Sequence, residues 1–298
     1  MTTNPIFTNE AAARKHLEKL CWPNGPMCPH CGESEKIKLL KGKSHRPGLR
    51  QCNACRKSFT VTVGTVFEDS HIKLHKWLLA FHLMTASKKG ISSHQLHRML
   101  GVTYKTAWFM THRIREAMKA DYTKVLGGQG PVEADETFIG TKTGAKKRKG
   151  YGHKNAVLSL VERGGEIRSF HVPGVSAKTL KPYLKYHIDP EAHLMTDDAG
   201  QYRILGPEFG QHDVVAHSND EYVRGEAHTN TVEGFFSILK RGLIGTYQHV
   251  SVQHLQRYVT EFDFRYNHRA KLGYDDSDRT TAAIKGITGK RLTYRQTG

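Results

Sequence analysis

The stretch Val-Glu-Ala-Asp-Glu-Thr-Phe-Ile-Gly, residues 132–140, decides the fold of this chain. Its apolar residues flank Asp135 as they would in a buried strand, where an unpaired acid is costly. Two later stretches also bring an acid out of apolar surroundings, Asp197 after Leu-Met-Thr and Glu233 within Thr-Val-Glu-Gly-Phe-Phe. We expect these three segments to meet in the folded protein, although they lie far apart in the sequence.

The composition indicates a basic globular protein that binds a polyanion. The 298 residues include 45 Lys+Arg and 28 Asp+Glu, which gives a formal net charge of +17. This balance favours nucleic acid as the partner, although basic housekeeping proteins and membrane-surface binders share it. No apolar run approaches the roughly 18 residues of a membrane span, and the N-terminus lacks the features of a signal peptide. We therefore expect a cytoplasmic protein without a membrane partner.

A zinc ribbon is predicted near the N-terminus. Two Cys-x2-Cys pairs, with 20 residues between them, supply its ligands: Cys28, Cys31, Cys52 and Cys55. This spacing suits four thiolates around one structural Zn²⁺, the alternative being a redox-active or simply buried set. Short strands are expected at 36–40 and 50–52, an alternating strand at 59–66, and a preceding helix at 8–20. Cys21 falls outside the spacing, so we expect it to be a bystander, the alternative being a competing zinc ligand.

A helix-turn-helix is predicted after the ribbon. Helical periodicity is found at 75–86, 92–100 and 104–118. A short turn containing Gly101 joins the last two helices, which is typical of this motif. Lys105 and Arg113 on the second helix are candidate DNA contacts. The alternative is an ordinary helical hairpin that packs the ribbon onto the next domain.

The remainder of the chain is predicted to be one α/β domain that follows a linker at 126–131. Periodicity predicts strands at 132–139, 156–161, 167–172, 194–196 and 213–216, and helices at 176–187, near 201, at 231–241 and at 249–269. The segment 273–298 is expected to be polar and loosely patterned, with its aspartates in a solvated turn. The predicted domains are the ribbon at 1–66, the helix-turn-helix at 67–126 and the α/β domain at 127–298.

The acids of the three segments are candidate metal ligands. Clustered carboxylates repel one another, and a bound cation reverses that repulsion. Two divalent ions about 3.5–4 Å apart support phosphoryl transfer, and Mg²⁺ suits a site with only one or two carboxylates for each ion. Asp135 is the expected first ligand, with Glu133 on the same strand face and Glu136 on the opposite face as rivals. Asp197 is the expected second ligand, with Asp198 as its rival.

The third ligand is expected at the start of the helix 231–241, where both Glu233 and Asn230 are candidates. Lys240 lies seven residues after Glu233 and shares its helix face, from which it could hold a DNA phosphate. The same Asn-x-x-Glu pattern also fits an N-capping box, in which Glu233 bonds back to the Asn230 amide. Further candidate phosphate contacts are Arg241, Arg265 and Arg269. The alternative for the last two is the basic rim of a helix packed under the sheet.

These motifs resemble the DDE transposases of bacterial insertion sequences, in the group that carries an N-terminal zinc ribbon. The resemblance rests on the ribbon cysteines, on Ala-Asp-Glu-Thr-Phe-Ile-Gly (134–140), Thr-Asp (196–197), His-Thr-Asn-Thr-Val-Glu-Gly-Phe-Phe-Ser-Ile-Leu-Lys-Arg-Gly (228–242) and Phe-Arg-Tyr-Asn-His-Arg (264–269). It implies a ribonuclease H-like catalytic domain with a mixed sheet, whose acids bind two Mg²⁺ (or Mn²⁺) ions. Some members of such families carry Asn in the third position, so Glu233 and Asn230 both stay open.

The resemblance also implies a reaction and its partners. Water attacks the phosphodiester at the element end, and the freed 3′-hydroxyl then attacks target DNA. The partners would be double-stranded DNA, as inverted-repeat ends and as target, and further copies of the chain in a homodimer or higher oligomer, at the bacterial nucleoid. Two other functions share these motifs: a zinc-ribbon DNA-binding regulator with an inactive α/β domain, and a ribonuclease H-like nuclease or resolvase without strand transfer.

Overall fold

A computed structural model describes residues 3–142, 144–147, 149–215 and 229–293. His228, from the resemblance, and Ala216, at the end of a predicted strand, lie outside these ranges. The chain forms two compact units, unit 1 with residues 1–119 and 274–298 and unit 2 with residues 120–273. The division differs from the predicted domain boundaries, because the C-terminal segment belongs to unit 1.

The ribbon in unit 1 follows helix α1, Glu10–Cys21, which the side chain of Asn9 caps. Three short antiparallel strands form its sheet: β1 (Ile37–Leu39), β2 (Arg50–Cys52) and β3 (Ser58–Phe59). The predicted strand at 59–66 is wrong beyond its first residue. The chain turns there, since the N–H of Val63 donates to the carbonyl of Thr60.

Three helices follow the ribbon close to their predicted positions: α2 (Leu74–Ala86), α3 (Ser93–Leu100) and α4 (Tyr104–Ala117). Hydroxyl groups of Ser92 and Thr103 cap α3 and α4, each accepting from a backbone N–H three residues on. Gly101 ends α3 in the left-handed conformation (φ 59°, ψ 46°), which favours glycine. The short turn between α3 and α4 therefore contains the glycine at the position where the sequence predicted it, and Thr103 caps the helix that follows.

The C-terminal segment contains a helix that the sequence analysis missed, α9, Asp276–Lys285. Its N-terminus is a complete capping box formed by Asp275 and Asp278, so these acids cap a helix and do not form a solvated turn. The helix packs against α2, where the hydroxyl of Thr280 contacts Thr85 Oγ1 at 2.9 Å and His82 Nδ1 at 3.1 Å. The polar residues that made this segment look like surface therefore include caps and a buried hydrogen-bond network.

Unit 2 is built on a five-stranded mixed sheet. Its strands are β4 (Val132–Ile139), β5 (Asn155–Glu162), β6 (Ile167–Val172), β7 (His193–Asp197) and β8 (Gln211–Val215). They lie in the order β6-β5-β4-β7-β8, antiparallel from β6 to β4 and parallel from β4 to β8. The helices of unit 2 are α5 (Ala177–His187), α6 (Gly200–Leu205), α7 (Asn230–Gly242) and α8 (Val252–Asn267).

Each face of this sheet carries its own apolar core. Val132 and Ala134 of β4 belong to the core shared with α5 and α6, which includes Tyr202. Val157 of β5 belongs to the core shared with α7 and α8, which includes Val232. Successive side chains of a strand point to opposite faces. The odd-numbered residues of β4 therefore face α7, and the even-numbered residues face α6.

Helix α8 covers the outer edge of β6. The side chains of Gln256, Asp263 and Asn267 accept hydrogen bonds from alternate backbone N–H groups of that strand, at 2.6, 2.8 and 2.8 Å. The amide groups of Gln256 and Asn267 also donate to the carbonyls of Ser169 and Ile167 at 3.0 and 2.9 Å. These side chains replace a neighbouring strand, so an edge that would otherwise be open to strand addition is closed.

The predicted linker is anchored in unit 2 and is not a loose connection. Leu126 is buried, and its N–H donates to the carbonyl of His187 at 2.7 Å. The N–H groups of Gly127 and Gln129 both donate to Glu162 Oε1 at 2.9 Å. Gly127 has φ 109°, and a Cβ there would lie 2.4 Å from that of Ala192, so glycine is required.

Candidate functional site

Asp135 and Asp197 lie on neighbouring parallel strands at the same height. The register pairs Glu133 of β4 with Met195 of β7, and each aspartate follows two residues later on its strand. Burial, and then the negative charges of Asp197 and Glu136, raise the pKa of Asp135 to about 8. The structure therefore brings the first two predicted ligands together in a site that resists holding their charges.

Glu136 belongs to the opposite face of β4, as predicted. It accepts hydrogen bonds from the Tyr202 hydroxyl at 2.9 Å and from Gln201 Nε2 at 3.4 Å, both on α6. Burial is the largest cause that raises its pKa, to about 7, and the Asp197 charge adds to it, while the Tyr202 hydrogen bond opposes it. Glu136 thus adds charge to the cluster, and α6 fixes its side chain.

Glu133 shares the face of Asp135, but its carboxylate is fully buried and bound by protein donors. Oε1 accepts from Arg163 Nε at 2.7 Å and from the Thr231 hydroxyl at 2.8 Å. Oε2 accepts from the backbone N–H groups of Thr231 and Val232 at 2.9 and 3.0 Å. This residue, one of the rivals of Asp135, thus holds the first turn of α7 against the sheet.

The capping box that was the alternative to a metal role for Asn230 and Glu233 is not formed. Helix α7 begins at Asn230, and its N-cap residue, Thr229, makes no side-chain cap hydrogen bond. The Thr229 hydroxyl instead donates to Glu233 Oε1 at 3.0 Å. Asn230 and Glu233 are both exposed in the first turn. After burial, Asp197 and Glu136, the charge of Glu233 is a further cause that raises the pKa of Asp135.

The rest of α7 agrees with the predicted apolar stripe. Its buried residues are Val232, Phe235, Phe236 and Leu239. Lys240 and Arg241 are exposed in the last turn, where Arg241 Nε donates to the Ser237 carbonyl at 3.1 Å. Both cations lie on the solvent side of the helix that carries Glu233, where phosphates could reach them.

The four ribbon cysteines form a compact group whose sulfur atoms all lie within 4.8 Å of one another. Cys28 Sγ is 3.7 Å from Cys55 Sγ, and Cys31 Sγ is 3.7 Å from Cys52 Sγ. Hydrogen bonds from the backbone N–H groups of Cys55 and Ala54 lower the pKa of Cys52 to about 7, which favours the thiolate that binds zinc.

Two observations delimit the cysteine group. Cys21 lies outside it, as expected, and burial raises the pKa of its thiol to about 11. Over the ranges that the structure describes, no other cluster of three or more His, Cys, Asp or Glu side chains is comparably placed to hold a metal ion. The acids of unit 2 are near enough to alter one another's pKa, but they do not form a closed set of ligands.

Three of the predicted DNA contacts bind other groups of the protein, and two of these three side chains are buried. Arg113 is only 6% exposed, and its guanidinium donates to the carbonyls of Val66 and Glu68, each at 2.8 Å. Arg265 is buried in an ion pair with Glu261 on α8. Arg269 donates to the carbonyls of Gly165 and Tyr266 at 3.1 and 2.8 Å. These contacts do not agree with a primary role on DNA, whereas Lys105 is exposed at the start of α4.

Comparison with known proteins adds an independent line of evidence. A family model described as an ISXO2-like transposase domain matches residues 127–267, and one described as a transposase zinc-ribbon domain matches residues 8–58. The chain is also 30% identical over 280 residues to an uncharacterized protein in the transposable element ISH50 of Halobacterium salinarum. That alignment covers 87% of this chain and 91% of the relative.

The two family models and the relative agree with the resemblance found in the sequence. The ribbon model covers all four cysteines, and the domain model covers the acids on β4, β7 and α7. The relative comes from Halobacterium salinarum, so a restriction to bacteria is not part of what the comparison supports. The chain belongs to the insertion-sequence transposases that combine an N-terminal zinc ribbon with an ISXO2-like transposase domain.

Proposed function

We propose that this transposase binds the inverted-repeat ends of its own element and catalyses Mg²⁺-dependent strand cleavage followed by strand transfer. The observation that carries the proposal is the placement of Asp135 and Asp197 at one height on adjacent parallel strands. Burial, and then the charge of Asp197, raise the pKa of Asp135, and the charge of Glu233 on α7 adds to this effect. Perturbed acids that come from separate elements and converge on one point are typical of a catalytic centre.

The topology supports assigning unit 2 to the ribonuclease H-like fold. Three antiparallel strands are followed by two parallel ones on the other side of β4, with helices on both faces of the sheet. In unit 1, α3, the Gly101 turn and α4 support a helix-turn-helix, with the exposed Lys105 at the start of the second helix. Zn²⁺ would hold the ribbon structurally, through its four cysteines.

The donor chemistry of the acidic cluster fits Mg²⁺ or Mn²⁺. Carboxylate oxygens are the ligands that Mg²⁺ prefers, and it takes only one or two for each ion while it keeps several waters. An open arrangement of Asp135, Asp197 and one α7 side chain is therefore sufficient. When bound, two such ions activate the attacking oxygen and stabilise the leaving oxygen.

The protein groups around the cluster would orient the DNA and stabilise the charges. Asp135 and Asp197 would hold the ions from the rigid sheet, and Glu233 would complete the set from α7, with Asn230 as its alternative in the same turn. The exposed Lys240 and Arg241 bind the DNA backbone. Because both element ends must be cut together, we propose that the active form contains at least two subunits.

The test uses duplex oligonucleotides that carry the inverted repeats flanking the gene. Asp135→Asn and Asp197→Asn should each abolish Mg²⁺-dependent cleavage and joining, because each removes one charged ligand. Asp189→Asn is the matched control, since Asp189 precedes β7 and its Oδ1 accepts a local backbone N–H, from Glu191, at 2.9 Å. Wild-type cleavage by both site variants would contradict the proposal. Cleavage without joined products would indicate a nuclease or resolvase. DNA binding that does not depend on Mg²⁺, without any cleavage, would indicate a regulator.

A further inference from the structure

Among the residues that the structure describes, none of the helix's own segment gives the first turn of α7 a side-chain cap. Its N-cap residue, Thr229, makes no side-chain hydrogen bond to the backbone N–H groups of that turn. The first N–H groups of a helix have no partner within the helix and need one from elsewhere. In this protein the partner comes from a distant strand, β4, about one hundred residues earlier in the sequence.

Glu133 gives that turn a cap from outside the helix. Its Oε2 accepts from the N–H groups of Thr231 and Val232, the positions that an N-cap side chain normally serves. Its Oε1 accepts from the Thr231 hydroxyl and from Arg163, so four donors converge on one carboxylate. The negative charge also lies at the positive end of the α7 dipole, which is favourable.

The same strand carries Asp135 two residues later, on the same face. One fully buried side chain therefore connects the strand of the first acid to the turn that holds both Asn230 and Glu233. The connection is rigid, because the carboxylate is bound on both oxygens and Arg163 offsets its charge. The placement of α7 relative to Asp135 thus depends on Glu133 whichever α7 residue is the ligand.

We infer that Glu133 is a positioning residue that holds the third metal-ligand element at a fixed distance from Asp135. This inference rests on the proposed function, because it concerns the site at which the ions would bind. Groups that orient metal ligands without touching the metal typically change metal affinity by about 10–100-fold when they are mutated. Glu133 should therefore control affinity for the divalent ion, beyond its contribution to stability.

The experiment measures Mn²⁺ binding to the full-length, zinc-loaded protein by electron paramagnetic resonance of the free ion. Glu133→Gln keeps the shape of the side chain but replaces one acceptor oxygen with a donor, which opposes the N–H groups of Thr231 and Val232. We expect the affinity for Mn²⁺ to fall about 10–100-fold. Hydrogen exchange at those two amides should become faster, which reports release of the turn directly.

Glu162→Gln is the matched control. Glu162 is also a buried carboxylate on this sheet that accepts two backbone N–H groups, but those belong to Gly127 and Gln129. It should lose stability in the same way as Glu133→Gln without changing Mn²⁺ affinity. A change of equal size in both variants would overturn the inference, because the effect would then follow from stability alone.

The remaining outcomes separate the inference from the proposed function. Wild-type protein that binds no Mn²⁺ overturns both, whereas wild-type binding together with unchanged affinity in Glu133→Gln overturns the inference alone. Should Glu133→Gln fail to fold, Thr231→Val decides the question. It removes one donor to Oε1 and leaves both N–H groups, so affinity should fall about threefold or more. Unchanged affinity in Thr231→Val overturns the inference in that case.

Discussion

The two candidate metal sites of this protein are assembled in opposite ways. The ribbon draws its four sulfur ligands from two Cys-x2-Cys pairs, and they form a tight group next to one small sheet. The acidic site draws Asp135, Asp197 and an α7 residue from three elements that span about one hundred residues, and it stays open. A site defined by spacing can be recognised in the sequence. A site defined by topology depends on the sheet order, so the sequence offers its acids only as candidates and leaves the α7 ligand open between Glu233 and Asn230.

The largest expected effect comes from removing one cysteine ligand of the ribbon. Cys52→Ser removes a buried ligand whose pKa is already lowered toward the thiolate. Structural zinc contributes on the order of 10 kcal/mol to the folding of such small modules. We expect loss of bound zinc and of the β1–β3 amide signals in NMR spectra, with the signals of unit 2 preserved. A Cys52→Ser protein with one equivalent of zinc and an intact ribbon would contradict this, and Cys21→Ser is the control.

The next largest effect comes from removing one carboxylate of the acidic site. Asp135→Asn should lower the cleavage rate by at least about a thousandfold, which is roughly 4 kcal/mol of transition-state stabilisation. Zinc content should not change, because the ribbon does not depend on unit 2 for any of its ligands. Single-turnover cleavage and zinc analysis on the same preparation would show this separation. A parallel loss of zinc would mean that the two sites are not independent.

The pH dependence of stability sharpens the contrast. The folded-state pKa values of Asp135 and Glu136 are raised to about 8 and about 7, so the folded protein holds these protons more tightly than the unfolded chain. Their favourable contribution to the free energy of unfolding is therefore present near pH 4 and is lost as pH rises toward 8. Without added divalent ions, wild type should lose about a few kcal/mol more than Asp135→Asn over this range. Urea denaturation at several pH values would measure this difference. The same pH dependence of unfolding free energy in wild type and Asp135→Asn would contradict the prediction.

The sheet edge provides a smaller effect that leaves both sites intact. Gln256→Ala removes two hydrogen bonds to β6 and should cost about 1–2 kcal/mol of unfolding free energy. Gln253→Ala on the exposed face of α8 is the matched control and should be neutral. Urea midpoints would compare the two variants. Zinc binding and cleavage at saturating Mg²⁺ should both remain at wild-type values.

The smallest expected effect concerns DNA contacts. Lys240→Ala should reduce the salt dependence of DNA binding by about one unit of slope, since it removes one phosphate contact. Arg269→Ala should leave the slope unchanged, because its guanidinium binds the carbonyls of Gly165 and Tyr266. Fluorescence anisotropy at several salt concentrations would compare the two. Equal slopes for Lys240→Ala and wild type would remove Lys240 from the DNA surface.

Much of the fold was predictable, because periodicity and capping residues are local. The predicted helices of unit 1 and the strands of unit 2 agree with the observed ones within a few residues, and Ser92 and Thr103 occupy capping positions that the residue type favours. Helix α9 was missed because its pattern is polar and its cap uses two aspartates. The strand at 59–66 was over-extended because alternation alone does not reveal a turn.

Residue roles were harder to predict than elements. Arg113 and Arg265 looked like DNA contacts, since a basic side chain on a helix is usually exposed. Both are buried, however, and they bind backbone carbonyls and Glu261, respectively. The Asn230–Glu233 pattern also fitted a local cap, whereas the observed cap comes from Glu133 on another element. Such roles depend on contacts between residues far apart in the sequence, and neither periodicity nor spacing reports those contacts.

No helix in the part of the chain that the structure covers is long and apolar enough to cross a lipid bilayer.

The order of the two units along the chain has a consequence for synthesis. Unit 2 is inserted between the two segments of unit 1, so α9 leaves the ribosome long after α2. Until then His82 and Thr85 lack Thr280, their partner on α9. Domains generally fold as units while the chain emerges. Unit 2, although second in the sequence, can therefore complete its fold before unit 1 does.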